Sequence, residues 1–231
     1  MAEVYYLKTR EGNYFDEQKD TLLKFIDQKQ YKKVCFLMDT IDKMDDGHHL
    51  GKALVRHWGQ DKFDRFKKVR SIAFDNGQQF IFGTVRTLGY ELRDCDVVVH
   101  VYAYHKDILE AFRYTYATDH ILVYWVSDQP DLDDWVAILH GQNIGPTEDI
   151  PPVSLVLPQD IADELSRIKR VNVSDGGTHP MDERLIKEVV QKVNKNGNAV
   201  NASSFKAFLI HNINFKPHHA DKAAYKVRKY L

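Results

Sequence analysis

The stretch Tyr31 to Trp58, YKKVCFLMDTIDKMDDGHHLGKALVRHW, gathers the side chains best suited to chemistry. Asp39, Asp42, Asp45 and Asp46 put four carboxylates within eight residues. They follow the apolar run Val34 to Met38 and precede an amphipathic segment beginning near His48. An acid just past a buried strand stands where open α/β sheets keep their ligands. Clustered carboxylates offer hard oxygens to Mg²⁺ or Mn²⁺, and such an ion activates water and offsets phosphate charge. Asp39 and Asp42 are therefore the candidate metal ligands, and a metal-dependent phosphodiesterase or nucleotide hydrolase is one reading. The plain alternative is a solvated loop whose acids favour the start of the next helix. A calcium loop is excluded by spacing. With Asp42 first, Met44 and Ala53 fall at the third and twelfth positions, where oxygen ligands are required.

Gly47-His48-His49-Leu50-Gly51-Lys52-Ala53 has the outline of a phosphate-binding loop. That motif needs four residues between its glycines and a Ser or Thr after the Lys. Here there are three, and Ala53 has no oxygen. What remains is an anion held by helix N-terminal amides together with Gly51 and Lys52. Asp75, His105 and Asp128 end or follow other apolar runs. If those strands are parallel neighbours, Asp39, Asp75, His105 and Asp128 converge in one crevice, with His105 as the acid-base residue. Each also has an ordinary role as a turn, a helix start or a cap. His48-His49 and His218-His219 are adjacent pairs whose side chains diverge, and H-E-x-x-H is absent. No G-x-S-x-G elbow and no G-x-G-x-x-G fingerprint occurs, which disfavours serine hydrolysis and ordinary dinucleotide binding.

The elements that must position these residues follow from periodicity. Glu3–Leu7, Val34–Met38, Ser71–Phe74, Val97–Tyr104, Ile121–Val126 and Val153–Leu157 read as strands, several of them continuous apolar runs suited to burial on both faces. Helices are expected at Asp16–Gln28, His48–Trp58, His105–Ala117, Leu132–Leu139 and Ile161–Ile168, while Asp61–Arg70 reads as a charged surface segment. Gln78–Leu92 is ambiguous: Ile81, Val85, Leu88 and Leu92 have helical spacing, but Gly83 and Gly89 interrupt it. Alternating strands and helices predict an α/β domain over residues 1–170. It is a doubly wound, mainly parallel sheet of five or six strands, Rossmann-like in that loose sense.

Residues 171–180, VNVSDGGTHP, have linker composition. Residues 181–231 then read as three helices, a module of helix-turn-helix or winged-helix size. Asn201 or Ser203 is the expected cap of the second, and Pro217 the first residue of the third. Net charge is −1, but it is unevenly spread. Residues 181–231 hold 10 Lys+Arg against 4 Asp+Glu, a balance of +6, against −7 for the first 180. Lys206, Lys222, Lys226, Arg228 and Lys229 are the candidate nucleic-acid contacts. Packing on the acidic body would account for the same asymmetry.

Two cysteines, Cys35 and Cys95, beside apolar runs argue for buried free thiols in a cytoplasmic protein. No apolar run approaches the roughly 18 residues that span a bilayer, and MAEVYYLKTR lacks a signal pattern, so no membrane partner is expected. The leading expectation is an α/β protein that binds a small anionic, nucleotide-like ligand at the carboxyl edge of its sheet. Its basic helices would contact nucleic acid. The rivals are the metal-dependent hydrolase and a scaffold without catalysis.

Overall fold

A computed structural model describes residues 3–9, 15–38, 49–102, 105–115, 118–125, 130–155, 157–171, 179–195 and 200–231. The chain forms two compact units, Met1–Val136 with Gly141–Ile150, and Ala137–His140 with Pro151–Leu231.

The first unit is α/β. Its strands are β1 (Val4–Thr9), β2 (Lys33–Leu37), β3 (Ser71–Ala73), β4 (Gln79–Gly83), β5 (Val97–Val101), β6 (Asp119–Trp125) and β7 (Gln142–Asn143). They lie in the order β3-β4-β2-β5-β6-β1-β7, parallel throughout except for β3 against β4. The sheet has seven strands rather than five or six, for two reasons. Gln79–Gly83 is a strand whose Phe80, Ile81 and Phe82 are all buried; a short doubly covered strand and a buried helical turn have the same periodicity. β7 is two polar residues that carry no apolar signal and are held by pairing with β1. Conversely, residues 153–155 and 157 form no strand. Prolines flank them, and the Val153 amide donates 2.9 Å to the Ala137 carbonyl instead of to a neighbouring strand.

Helices α1 (Phe15–Lys29), α2 (His49–Trp58) and α3 (Gln60–Val69) cover one face of the sheet. Leu22, Leu23 and Ile26 of α1, Leu50, Leu54 and Trp58 of α2, and Phe63 and Phe66 of α3 pack there on Tyr5, Leu7, Val34, Phe36, Val99 and Val123. The charged segment 61–70 is thus a helix with a buried aromatic edge. Gly59, at φ 88°, turns the chain between α2 and α3 with no steric penalty. The opposite face carries Cys35, Leu37, Ile81 and Val98, covered by Leu92 and Cys95 and by Ala111 of α5 (His105–Tyr114). α4 (Val85–Leu88) is a single turn leading into that layer. α6 (Pro130–Leu139) joins the same face, where Asp133 accepts 2.7 Å bonds from both Lys8 and Tyr124. Helices on both faces explain why the central strands are apolar at most positions. Both cysteines are buried and unbridged.

The second unit holds α7 (Gln159–Ser166), α8 (Pro180–Lys195), α9 (Ala202–His211) and α10 (Pro217–Val227). Asn201 caps α9, its side chain accepting 2.9 Å from the Ser204 amide, and Pro217 opens α10, both as the residue types require. Ala220, Ala223 and Ala224 let α10 approach α9 and α8 closely, over Ile186, Val190, Phe205 and Phe208. Among the described residues no helix is long and apolar enough to cross a membrane.

A polar chain interrupts the core beneath α5. His100 Nε2 lies 2.8 Å from His120 Nδ1, and His120 Nε2 lies 3.0 Å from Thr115 Oγ1, which donates to the Ala111 carbonyl. Thr115 has one proton, so His120 carries its proton on Nε2 and His100 on Nε2. His100 Nδ1 is then a bare acceptor, with no hydrogen-bond partner among the described residues. The Phe112 ring stacks 3.9 Å from the His120 ring. Burial pulls His100 from 6.5 down to about 3 and His120 well below its ordinary value, so both are neutral in the fold.

Two measurements follow. Above pH 6.5 the pair is neutral in both folded and unfolded chains. Below it the unfolded chain takes up protons that the folded chain refuses, so stability falls with pH until the folded value near 3 is reached for His100. Each histidine adds up to about 1.4 kcal/mol per pH unit to this loss. Urea unfolding between pH 7 and 5 should show the slope, and replacing both by Leu should flatten it; equal slopes would refute the assignment. Separately, Asn201→Ala should cost about 1 kcal/mol in the same assay through loss of the α9 cap.

Candidate site at the carboxyl edge of the sheet

The six parallel strands end along one edge, at Gly83, Leu37, Val101, Trp125, Thr9 and Asn143. Crevices open there where neighbouring strands send their chains to opposite faces. β2 leads to α2 on one face and its neighbour β5 to α5 on the other. β1 leads to α1 and its neighbour β6 to α6. The β5–β6 pair is therefore flanked by two switch points.

Polar side chains are buried at this edge on the α1 side. Thr9 ends β1 with no exposure, and Gln18 and Lys19 of α1 are buried as well, Lys19 fully. Thr9 Oγ1 donates 3.1 Å to the Tyr124 carbonyl and lies 3.3 Å from the Tyr102 hydroxyl. Lys19 Nζ stands 5.4 Å from the centre of the Tyr102 ring, within cation–π range. Tyr102 follows β5 with φ 50°, a left-handed conformation that a bulky residue adopts at a cost of about 1–2 kcal/mol. Such strain collects at ligand sites. Burial pushes its phenol up to about 12, so it remains protonated and able to donate. On the other side of β1, Lys8 pairs with Asp133 at 2.7 Å. Lysines thus stand on both sides of the β1 terminus. An ammonium without solvent is tolerated only with polar or charged company, and a cation in that setting suits an anionic ligand.

The residues singled out by type and spacing fare differently. Asp39, Asp42 and Asp128 lie outside the described residues. Gly51 and Lys52 fall in the first turn of α2, Gly51 buried and Lys52 exposed, and the loop that leads into them lies outside the described residues. His105 is the first residue of α5, following β5 at the carboxyl edge; its side chain is outside the described set. Asp75 is elsewhere. β3 runs antiparallel to β4, so the turn 74–78 sits at the amino edge of the sheet, and the proposed convergence does not include it. Of the basic residues, Lys206 pairs with Asp221 at 2.8 Å and Lys226 with Glu183. Arg228 lies against the Tyr225 ring, Lys229 against the Tyr230 ring, and Lys222 is exposed.

Thr9, Lys19 and Tyr102 were missed by motif reasoning, yet Lys19 left a signal. It precedes Leu22 and Leu23 by three and four residues, which puts a lysine on the apolar stripe of α1.

A cavity of about 520 Å³ opens at the amino edge, against Trp58, Phe74 and Gln78. Several of its polar side chains are already engaged. Asp27 pairs with His57 at 3.2 Å, and Gln78 is held by Asn76 and the Tyr31 carbonyl. Asp96, at the same edge, takes the Lys32 and Lys33 amides at 2.6 and 2.9 Å and so starts β2. Those groups build the sheet, and the candidate site remains at the carboxyl edge.

Among the described residues no group of three or more His, Cys, Asp or Glu is placed to hold a metal ion. The sequence matches no protein-family model, and no curated protein is significantly similar to it.

Thr9→Val keeps the shape of the site and removes the hydroxyl that joins β1 to Tyr102 and Tyr124. It should lower stability by about 1 kcal/mol or more in urea unfolding; an unchanged midpoint would show that the hydroxyl contributes nothing.

Proposed function

We propose that this chain is a cytoplasmic α/β protein with a Rossmann-like, doubly wound sheet that binds a small anionic, nucleotide-like ligand at its carboxyl edge. Residues 181–231 serve as the basic helical part of the second unit, beyond the linker 171–180. The observation that carries the reading is Lys19, a fully buried lysine beside Thr9 and the strained Tyr102. It supplies positive charge beside the β1–β6 switch point, where sheets of this kind take ligands. An anion there meets a desolvated ammonium, whose attraction exceeds that of a surface lysine. Tyr102 offers an aromatic face in the same place. The cytoplasmic reading rests on the two buried, unbridged thiols.

The test is calorimetric titration of the full chain with nucleoside mono-, di- and triphosphates and with inorganic phosphate. At least one should bind more tightly than about 1 mM, and more tightly than its nucleoside. Lys19→Gln should weaken that binding about tenfold, the worth of a hydrogen bond to a charged group. Absence of binding across the panel would overturn the reading. Turnover that requires Mg²⁺ or Mn²⁺ and is lost in Asp39→Asn would favour the hydrolase alternative instead.

A further inference from the structure

The end of the chain presents a surface that the carboxyl-edge ligand does not use. Tyr225 of α10 is 64% exposed, although most large apolar side chains of the chain are buried. The Arg228 guanidinium lies 4.2 Å from the centre of its ring. A second ring stands a turn further on. Tyr230 has Lys229 Nζ at 5.0 Å and Lys187 Nζ, from α8, at 5.6 Å. Helical spacing puts Lys222 three residues before Tyr225, on the same side of α10, and Lys229 follows in the 3-10 turn Arg228–Tyr230.

The nearby acids do not cancel this charge. Glu183 is taken by Lys226, Glu188 by Arg184 at 2.8 Å and Asp221 by Lys206 at 2.8 Å. Among the described residues no carboxylate pairs with Lys187, Lys222, Arg228 or Lys229. Two aromatic rings are left at the surface among four cations.

The two chemistries together narrow the partner. Cations alone would suit any polyanion. An exposed ring backed by a guanidinium adds a flat stacking platform, useful only to a partner with unpaired planar groups. A duplex keeps its bases stacked inside and offers such a platform nothing. A lipid surface would want apolar side chains around the tyrosine, where this surface has cations. We propose that residues 181–231 bind single-stranded nucleic acid. Bases stack on Tyr225 and Tyr230, and phosphates are met by Lys187, Lys222, Arg228 and Lys229.

The experiment uses the full chain and a fluorescent oligothymidylate of about 12 nucleotides, within the range that such surfaces cover. Anisotropy is followed from about 50 to 200 mM salt, and four phosphate contacts predict a log–log slope near −3. Tyr225→Ala should weaken binding about five- to hundredfold, the worth of one stacked base, while Tyr225→Phe retains it. Arg228→Gln with Lys229→Gln should flatten the salt slope by about 1.4. Unchanged circular dichroism would show that the variants fold, as expected for an exposed ring. Equal affinity of the Tyr225→Ala variant, equal or tighter binding of a duplex, or no binding at the lowest salt would each overturn the proposal. The surface shares no residue with the carboxyl-edge site, so either proposal can fail without the other.

Discussion

The register of β5 between β2 and β6 is the constraint on which the first unit depends. All five residues of this strand are buried, and it pairs in parallel on both sides. Alternate residues therefore face two different cores. Val97, Val99 and Val101 meet the layer of α1, α2 and α3, while Val98 and His100 meet the layer of α5. A slip of one residue would send His100 into the aliphatic layer and separate it from His120. The same register fixes Tyr102 just beyond the strand, where its amide donates 2.9 Å to Val123 and its side chain turns toward Thr9 and Lys19. Core and candidate site are thus set by one alignment.

Much of this was legible in the sequence, and the limits were physical. Continuous apolar runs such as Val97–Val101 and Ile121–Val123 announce strands covered on both sides, and the alternation of strand and helix announces a parallel sheet. Asn201 and Pro217 marked helix starts because their effect is local. What failed was what depends on partners. Phe80–Phe82 has no period of its own that separates strand from helix, and Gln142–Asn143 becomes a strand only because β1 has a free edge. The direction of β3 was equally invisible, and it alone removes Asp75 from the candidate site.

The site shows the same division. Carboxylates and Gly-Lys attract attention by composition, and Lys52 stands exposed in the first turn of α2. Lys19 lies within a segment easily read as amphipathic, and only its place on the apolar stripe sets it apart. A charged residue on the wrong face of a helix is a weaker pattern than a motif, and here it marks the more unusual environment. Charge in the second unit sorts in a similar way. Counting gives an excess of cations, and ion pairs then consume some of them. The remainder collects around two tyrosines that no count would have linked to it.

The two outermost strands are the shortest of the sheet, three residues in β3 and two in β7. An open sheet exposes unpaired amides and carbonyls at its margins, and long margins recruit strands from other molecules. Here the outermost strands themselves offer a neighbouring molecule only a few peptide groups to pair with, which disfavours edge-to-edge pairing through them. Lengthening β7 with β-branched residues would give the fold a sticky margin that its natural sequence avoids.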